Sequence, residues 1–237
     1  MFLFVGLAAA GAAHAAPRPP EQAACAPAYE RVGSVKRAWV ALARGRVTAR
    51  TAPGGRVIAR FGRANANDYP TLFAVRGRVV DAACRARWYR VQLPVRPNGR
   101  TGFVPASRVR LATVSTRIEV DLGKREVRLF RANRLRLRTP AAVGAPGTPT
   151  PTGRFYVTQR LVPYDANGPY GPGALGISAF SPTLKTWTQG GPIAIHGTND
   201  PSSVGRPVSN GCLRVPNPML RRLFDATPAG TPVVIHR

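Results

Sequence analysis

Acidic side chains are scarce in this sequence: 10 Asp and Glu stand against 35 Lys and Arg, giving a formal net charge of +25. The positive charge is nearly all arginine, since lysine occurs only at Lys36, Lys124 and Lys185. A charge of this size attracts phosphates, anionic wall polymers and membrane surfaces alike. It is spread over both halves with no basic tail, and no recognised nucleic-acid reading motif accompanies it. Nucleic acid is therefore not expected as a partner. Histidine and cysteine are rare too, with three of each. His14 lies in an apolar leader and His236 one residue from the end, which leaves His196. With Cys212, and Asp200 as the best third ligand, it falls short of the three or four ligands at familiar spacing that zinc takes. No metal and no cofactor are expected.

Long hydrophobic runs are missing as well. The best, Phe2 to Ala13, is too short for a comfortable membrane span. It runs into Ala13-His14-Ala15 and then Pro17-Arg18-Pro19-Pro20, the pattern of a signal-peptide h-region cut after Ala15. The charged stretch that normally precedes such a run is missing, so translation is expected to start upstream of Met1. Export out of the cytoplasm follows, with the membrane only a secretion route. No lipobox precedes Cys25. In an oxidising compartment a Cys25–Cys84 pair would leave Cys212 over. The alternative is three thiols, with Cys212 a small buried apolar group.

Apolar content is ordinary, which excludes a disordered chain. Gly and Pro, 24 of each, separate many short Val, Ile, Leu and Arg runs, a pattern of strands and turns. The fold class is mainly β with minor helix. Residues 16–30 read as a flexible leader. In 31–112, strands are expected at Val35–Leu42, Val57–Phe61, Thr71–Val80, Trp88–Leu93 and Gly102–Val104, forming a small β-barrel. Pieces such as Trp88-Tyr89-Arg90-Val91 and Thr101-Gly102-Phe103-Val104 resemble an SH3-like wall-binding domain; a barrel that only braces its neighbour is the other reading. A second domain, 116–237, opens with Ile118–Leu122 and the alternating Glu126–Phe130, a hairpin with one buried face. Further strands are expected at Leu135–Arg138, Ala141–Val143, Arg154–Thr158, Pro192–His196 and Val233–His236. Pro218–Asp225 reads as a helix capped by Asn217.

His196 ends an apolar strand and is followed at once by Gly197, a common setting for a catalytic side chain. Cys212 comes 16 residues later in Ser209-Asn210-Gly211-Cys212-Leu213-Arg214. Gly211 permits unusual backbone angles and close substrate approach. Successive N–H groups in such a turn can converge on a developing oxyanion. The thiolate is the reactive form, and an adjacent imidazole can lower the thiol pKa and later return the proton to a leaving amine. No acidic group has an evident claim to orient that imidazole; a backbone carbonyl, such as that of Gly197, can serve.

Ile195-His196-Gly197-Thr198-Asn199, Ser203-Val204-Gly205-Arg206 and Ser209 to Arg214, with Thr148 to Phe155 before them, resemble the signature of YkuD-type L,D-transpeptidases over 116–236. That resemblance implies a β-sandwich catalytic domain acting on peptidoglycan stem peptides. Cys212 would attack the carbonyl before the terminal D-alanine to give a thioester, which the amine of a second stem would resolve to a 3→3 crosslink. His196 would be the base, oriented by Gly197. Asn210, Gly211 and Cys212 would supply the oxyanion hole beside Ser209, and Arg214 would hold a substrate carboxylate or else form a structural ion pair. Many members carry a second histidine where this chain has Asn210, which cannot act as a base. Tyr164 and Tyr170, in the Gly- and Pro-rich stretch Tyr164–Ser178, are expected in a loop beside the groove. The competing readings are a carboxypeptidase, in which water resolves the thioester, and a non-catalytic wall-binding protein.

Overall fold

In the computed structural model, residues 29–34, 36–185 and 191–237 are described. The expected signal segment, most of the leader and Cys25 lie outside them. The chain is mainly β, with two sheets of eight strands meeting at Ser115.

The first sheet uses β1 (Tyr29–Arg31), β2 (Ala38–Ala43), β3 (Val47–Arg50), β4 (Val57–Phe61), β5 (Leu72–Val80), β6 (Ala86–Gln92), β7 (Thr101–Pro105) and β8 (Val109–Val114). Its order is β4-β3-β7-β6-β5-β2-β8, with β1 added to β5 and every pairing antiparallel. Alternate residues such as Val47, Ala49, Phe73, Val75, Val91 and Val104 meet in one apolar core. The sheet runs past residue 112 to Val114, and Tyr29 and Glu30, expected in the leader, already pair in β1. Cys84, in the left-handed region at φ 59°, is disulfide-bonded, and Cys212 is a free cysteine.

The second sheet takes β9 (Thr116–Asp121), β10 (Glu126–Arg131), β11 (Arg134–Pro140), β13 (Gly153–Leu161), β14 (Ala174–Phe180), β15 (Pro192–His196), β17 (Leu213–Arg214) and β18 (Pro232–His236). Between them lie β12 (Val143–Gly144) and β16 (Pro207–Ser209), a short parallel pair, and the helix α1 (Asn217–Ala226). The order is β11-β10-β9-β18-β13-β14-β15-β17. The last strand, β18, slots between β9 and β13, parallel to β9 with Val233 opposite Ile118. The apolar face of α1 presses Leu220 and Leu223 onto the core formed by Ile118, Val127, Phe155 and Ile195, which closes this domain.

The sequence reading names no strand at β1, β3, β8, β16 or β17, and two further differences bear on the site. Ala174–Phe180, expected at the end of a loop, is a central strand buried along almost its whole length. Its Gly, Ser and Ala are weak strand formers, and burial on both faces removes the alternation that marks a strand. Asn217 is also not a cap: α1 begins at Asn217, and the Asn217 amide is engaged elsewhere, as described below.

The sheets are joined by a dense seam. Tyr156 is fully buried in a cluster with Val40, Leu72, Ala74 and Val114, and its hydroxyl donates to Leu72 O at 3.2 Å. Gln92 donates to Arg154 O at 2.7 Å, and Asn98 exchanges two hydrogen bonds with the Phe180 main chain at 2.8 and 2.9 Å. Polar groups paired this way across a seam fix its geometry.

Candidate active site

The site is built on one face of two neighbouring strands. β15 and β17 run parallel, with Ile195 opposite Leu213 and His196 opposite Arg214. Side chains alternate across a sheet, so Ile193, Ile195 and Leu213 enter the core. Ala194, His196, Cys212 and Arg214 are left together on the other face. The Ala194 N–H donates to the Cys212 Sγ at 3.4 Å, and the Val215 N–H to His196 O at 2.9 Å.

His196 is buried. Its Nδ1 lies 2.6 Å from Gly197 O. A carbonyl can only accept, so Nδ1 carries the proton and Nε2 keeps the lone pair. Burial pushes the imidazole pKa down to about 4, against the partial support of the Gly197 hydrogen bond, and the Arg214 charge adds to the fall. Tyr170, half exposed, sets its ring edge-on to the imidazole at 5.0 Å between centroids and 65° between planes. Tyr164, expected beside it, is fully exposed.

Burial raises the Cys212 thiol pKa, opposed by the Ala194 N–H and the Arg214 cation. The resting pair is therefore a neutral thiol with a neutral imidazole. This corrects the expectation that the imidazole lowers the thiol pKa: in a desolvated site the cost of two charges outweighs their attraction. Arg214 is the cation facing both groups, and it pairs with no carboxylate among the described residues.

The turn before Cys212 is held by hydroxyls. Ser209 Oγ donates to Cys212 O at 2.6 Å and accepts the Gly211 N–H at 3.1 Å. Thr150 Oγ1 donates to Gly211 O at 2.9 Å and accepts the Gly144 N–H, while Thr148 Oγ1 donates to Ser209 O at 2.8 Å. Gly211 itself has φ +109°, which side chains rarely adopt. Two of the sequence assignments change in consequence. Ser209 is buried and braces the turn, so it does not face a ligand. The Gly211 N–H is already engaged, whereas those of Asn210 and Cys212 meet no acceptor among the described residues.

Sequence reasoning missed Asn217. Its Oδ1 accepts the Thr198 N–H at 2.8 Å, tying α1 to the segment after His196. The fit needs glycine: a Cβ on Gly197 would lie 2.3 Å from that oxygen, and one on Gly171 2.4 Å. Gly197 is thus required for packing as well as for its carbonyl. The Asn-Pro pair reads as a helix start, and nothing local marks its second use. Asp200 is held in its own turn, its carboxylate accepting from Ser202 at 2.5 Å.

Residues 115–235 match the YkuD family, the L,D-transpeptidase catalytic domain. The Bacillus subtilis protein named "Putative L,D-transpeptidase YkuD" is 36% identical over 125 residues, 53% of this chain and 68% of that protein. The Escherichia coli protein named "Probable L,D-transpeptidase ErfK/SrfK" is 38% identical over 89 residues, 37% of this chain and 26% of that one. Among solved structures, that of a mutant Enterococcus faecium L,D-transpeptidase is 28% identical with a TM-score of 0.40, covering 51% of this chain and 49% of its own. The chain thus spans two thirds of the Bacillus relative and about half of the Enterococcus chain.

Proposed function

The chain belongs to the YkuD family of L,D-transpeptidase catalytic domains, and on that premise we propose that it is an exported cysteine acyltransferase forming 3→3 crosslinks between peptidoglycan stem peptides. One observation carries the chemistry. A free cysteine and an imidazole with its Nδ1 proton fixed on Gly197 O share one face of adjacent strands, beside an arginine that pairs with no carboxylate among the described residues.

The donor stem places its third-residue carbonyl over the Cys212 Sγ. His196 Nε2 takes the thiol proton as sulfur attacks, so no stable thiolate is needed beforehand. Charge develops on the carbonyl oxygen, where the Asn210 and Cys212 N–H groups serve as donors. The imidazolium passes its proton to the leaving D-alanine nitrogen as the C–N bond breaks, leaving a thioester. The side-chain amine of a second stem then attacks that carbonyl, giving up a proton to Nε2, and the proton returns to sulfur as the C–S bond breaks. Arg214 stabilises the transient negative charge and suits the terminal carboxylate of the donor. The first sheet fits the role of an SH3-like wall-binding unit, and the arginine-rich surface that of a partner for anionic wall polymers.

The test is incubation of the mature protein with a disaccharide-tetrapeptide, with products followed by mass spectrometry and Cys212→Ala as control. Loss of D-alanine with a crosslinked dimer, absent in the control, is the expected result. Loss of D-alanine without dimer would make the protein a carboxypeptidase. No reaction from protein with a titratable Cys212 thiol would sink the donor assignment.

A further inference from the structure

A row of residues leads from Cys212 across the second sheet to the first. Gln159 on β13 is opposite Gly176 on β14, Gly176 is opposite Ala194 on β15, and Ala194 donates to the Cys212 sulfur. Facing residues of paired strands share one side of a sheet, so all four lie on the face that carries His196 and Arg214. The two middle members are a glycine and an alanine. They make a low floor between a reactive sulfur at one end and a carboxamide at the other. The Gln159 side chain folds over Gly176: a Cβ there would lie 2.9 Å from its Nε2. Gly176 is two strand spacings, about 10 Å, from Cys212.

The orientation of the Gln159 amide is set by the loop that joins β4 to β5 of the first sheet. Asn65 Oδ1 accepts the N–H groups of Asn67 and Tyr69 at 2.9 and 3.1 Å, so its NH2 must point the other way. That NH2 donates to Gln159 Oε1 at 2.7 Å, and the Asn67 NH2 donates to the same oxygen at 3.0 Å. With its oxygen doubly engaged, Gln159 can offer only its NH2. This group is a fixed donor with no acceptor in the described protein, on a residue only 9% exposed. It lies in a cavity of about 400 Å³ between the two sheets, walled by Phe61, Leu72, Phe180 and Pro192, with Arg60 at its edge. Apolar walls with one or two placed polar groups are the usual composition of a small-ligand site.

We propose that this cavity is a subsite for the sugar-proximal end of the donor stem, an N-acylated hexosamine whose acetamido carbonyl accepts from Gln159 and whose ring faces rest on Phe61 and Phe180. The assignment rests on the transpeptidase reading above. The distance selects the donor's amino-terminal side. About 10 Å equals roughly three extended residues, the length of stem between the scissile carbonyl and the sugar. On the other side of the scissile bond the donor has one D-alanine, too short to reach. The first sheet thereby becomes part of the substrate site, since Asn65 and Asn67 fix the donor that the sugar meets.

The test measures acylation of Cys212 by intact mass under single-turnover conditions, with a disaccharide-tetrapeptide and with the free tetrapeptide. The wild type is expected to favour the first by about five- to tenfold in second-order rate constant, the worth of one well-placed neutral hydrogen bond and its packing. In Gln159→Met that ratio should fall to about one. In Asn65→Ala, which frees the Gln159 amide to turn over, it should fall part of the way. Equal rates for both donors in the wild type, an unchanged ratio in Gln159→Met, or a sugar preference confined to the later amine step would each overturn the proposal. Binding of the peptide-free disaccharide to the Cys212→Ala protein, followed by NMR shifts at the Gln159 side-chain amide, separates the two claims. Shifts without acylation by either donor would retain the subsite and reject the transpeptidase; acylation without shifts would do the reverse.

Discussion

The two sheets have the same number of strands but use their second faces differently. In the first, strands away from the seam are one-sided, as in β3, where Val47 and Ala49 are buried while Thr48 and Arg50 between them are partly exposed, and the second face of β2 and β5 is covered by apolar contact at the seam. The centre of the second is covered on both faces, by aliphatic side chains on one and by polar groups on the other. His196, Ser178, Ser203, Ser209 and Thr150 are all buried there, and Gln159 nearly so. Buried polar groups must be partnered, and the partners here are mostly main-chain atoms of the turns around Cys212 and His196. A one-sided sheet needs only apolar alternation. A two-sided one with a polar face needs particular residues, and changing them should alter chemistry more than stability.

The sharpest break of that contrast is Cys212→Ala. Acylation should fall on the order of a thousandfold or more, read as loss of the acyl-enzyme mass, while the melting temperature stays close to wild type. His196→Gln comes next, with a loss of about two to four orders of magnitude in the acylation rate. This histidine also predicts the pH behaviour. Because its folded pKa is about 4, the base remains unprotonated well below neutrality, and the acid limb of the acylation profile should fall near pH 4. A limb near the usual histidine value of about 6.5 would contradict the burial argument. Between those values the unfolded chain binds a proton that the folded chain does not, so stability should decline as pH falls through that window, by up to roughly 3 kcal/mol. Denaturant titrations of His196→Gln should show that slope flattened. Arg214→Ala should raise the pKa of both groups, since its charge lowers both. Alkylation of the thiol would then need higher pH.

Smaller effects come from the brace. Asn217→Ala leaves the Thr198 N–H without its acceptor and should cost about 1–2 kcal/mol of stability. It should slow acylation about tenfold through loss of the Gly197 position. Asn217→Asp, which keeps an acceptor in place, should restore most of the rate; if it does not, the amide has some other task.

These residues show which parts of the molecule the sequence made readable. The candidate site was legible because it is local: His196-Gly197 and Ser209 to Arg214 are contiguous, and each carries its own backbone requirement. The hairpin strands β9 and β10 were legible too, for β10 alternates after a turn. What escaped was anything decided by a distant partner. β14 has no pattern of its own because both its faces are buried, and Asn217 serves a segment 19 residues away. Ser209 and Gly211 were recognised as site residues, but their hydrogen bonds to each other and to the Thr148–Thr150 segment depend on strands meeting across the sheet. The neutral state of the Cys212–His196 pair was also out of reach, because it depends on burial.

The smallest predicted effect concerns the seam between the sheets. Tyr156→Phe keeps the buried ring and removes only the hydroxyl that donates to Leu72 O. The carbonyl loses one of its partners, and the cost should be about 1 kcal/mol, measured by urea unfolding. The informative quantity is the shape of the transition. The shared cluster of Val40, Leu72, Ala74, Val114 and Tyr156 draws on both sheets, so the wild type should unfold in one step, with fluorescence and circular dichroism coincident. If the seam is what makes the sheets one unit, Tyr156→Phe should lower the midpoint of that single step. A second, separate transition from this one hydroxyl would show that the first sheet docks weakly, and a weakly docked sheet cannot hold Gln159 in a fixed orientation for substrate.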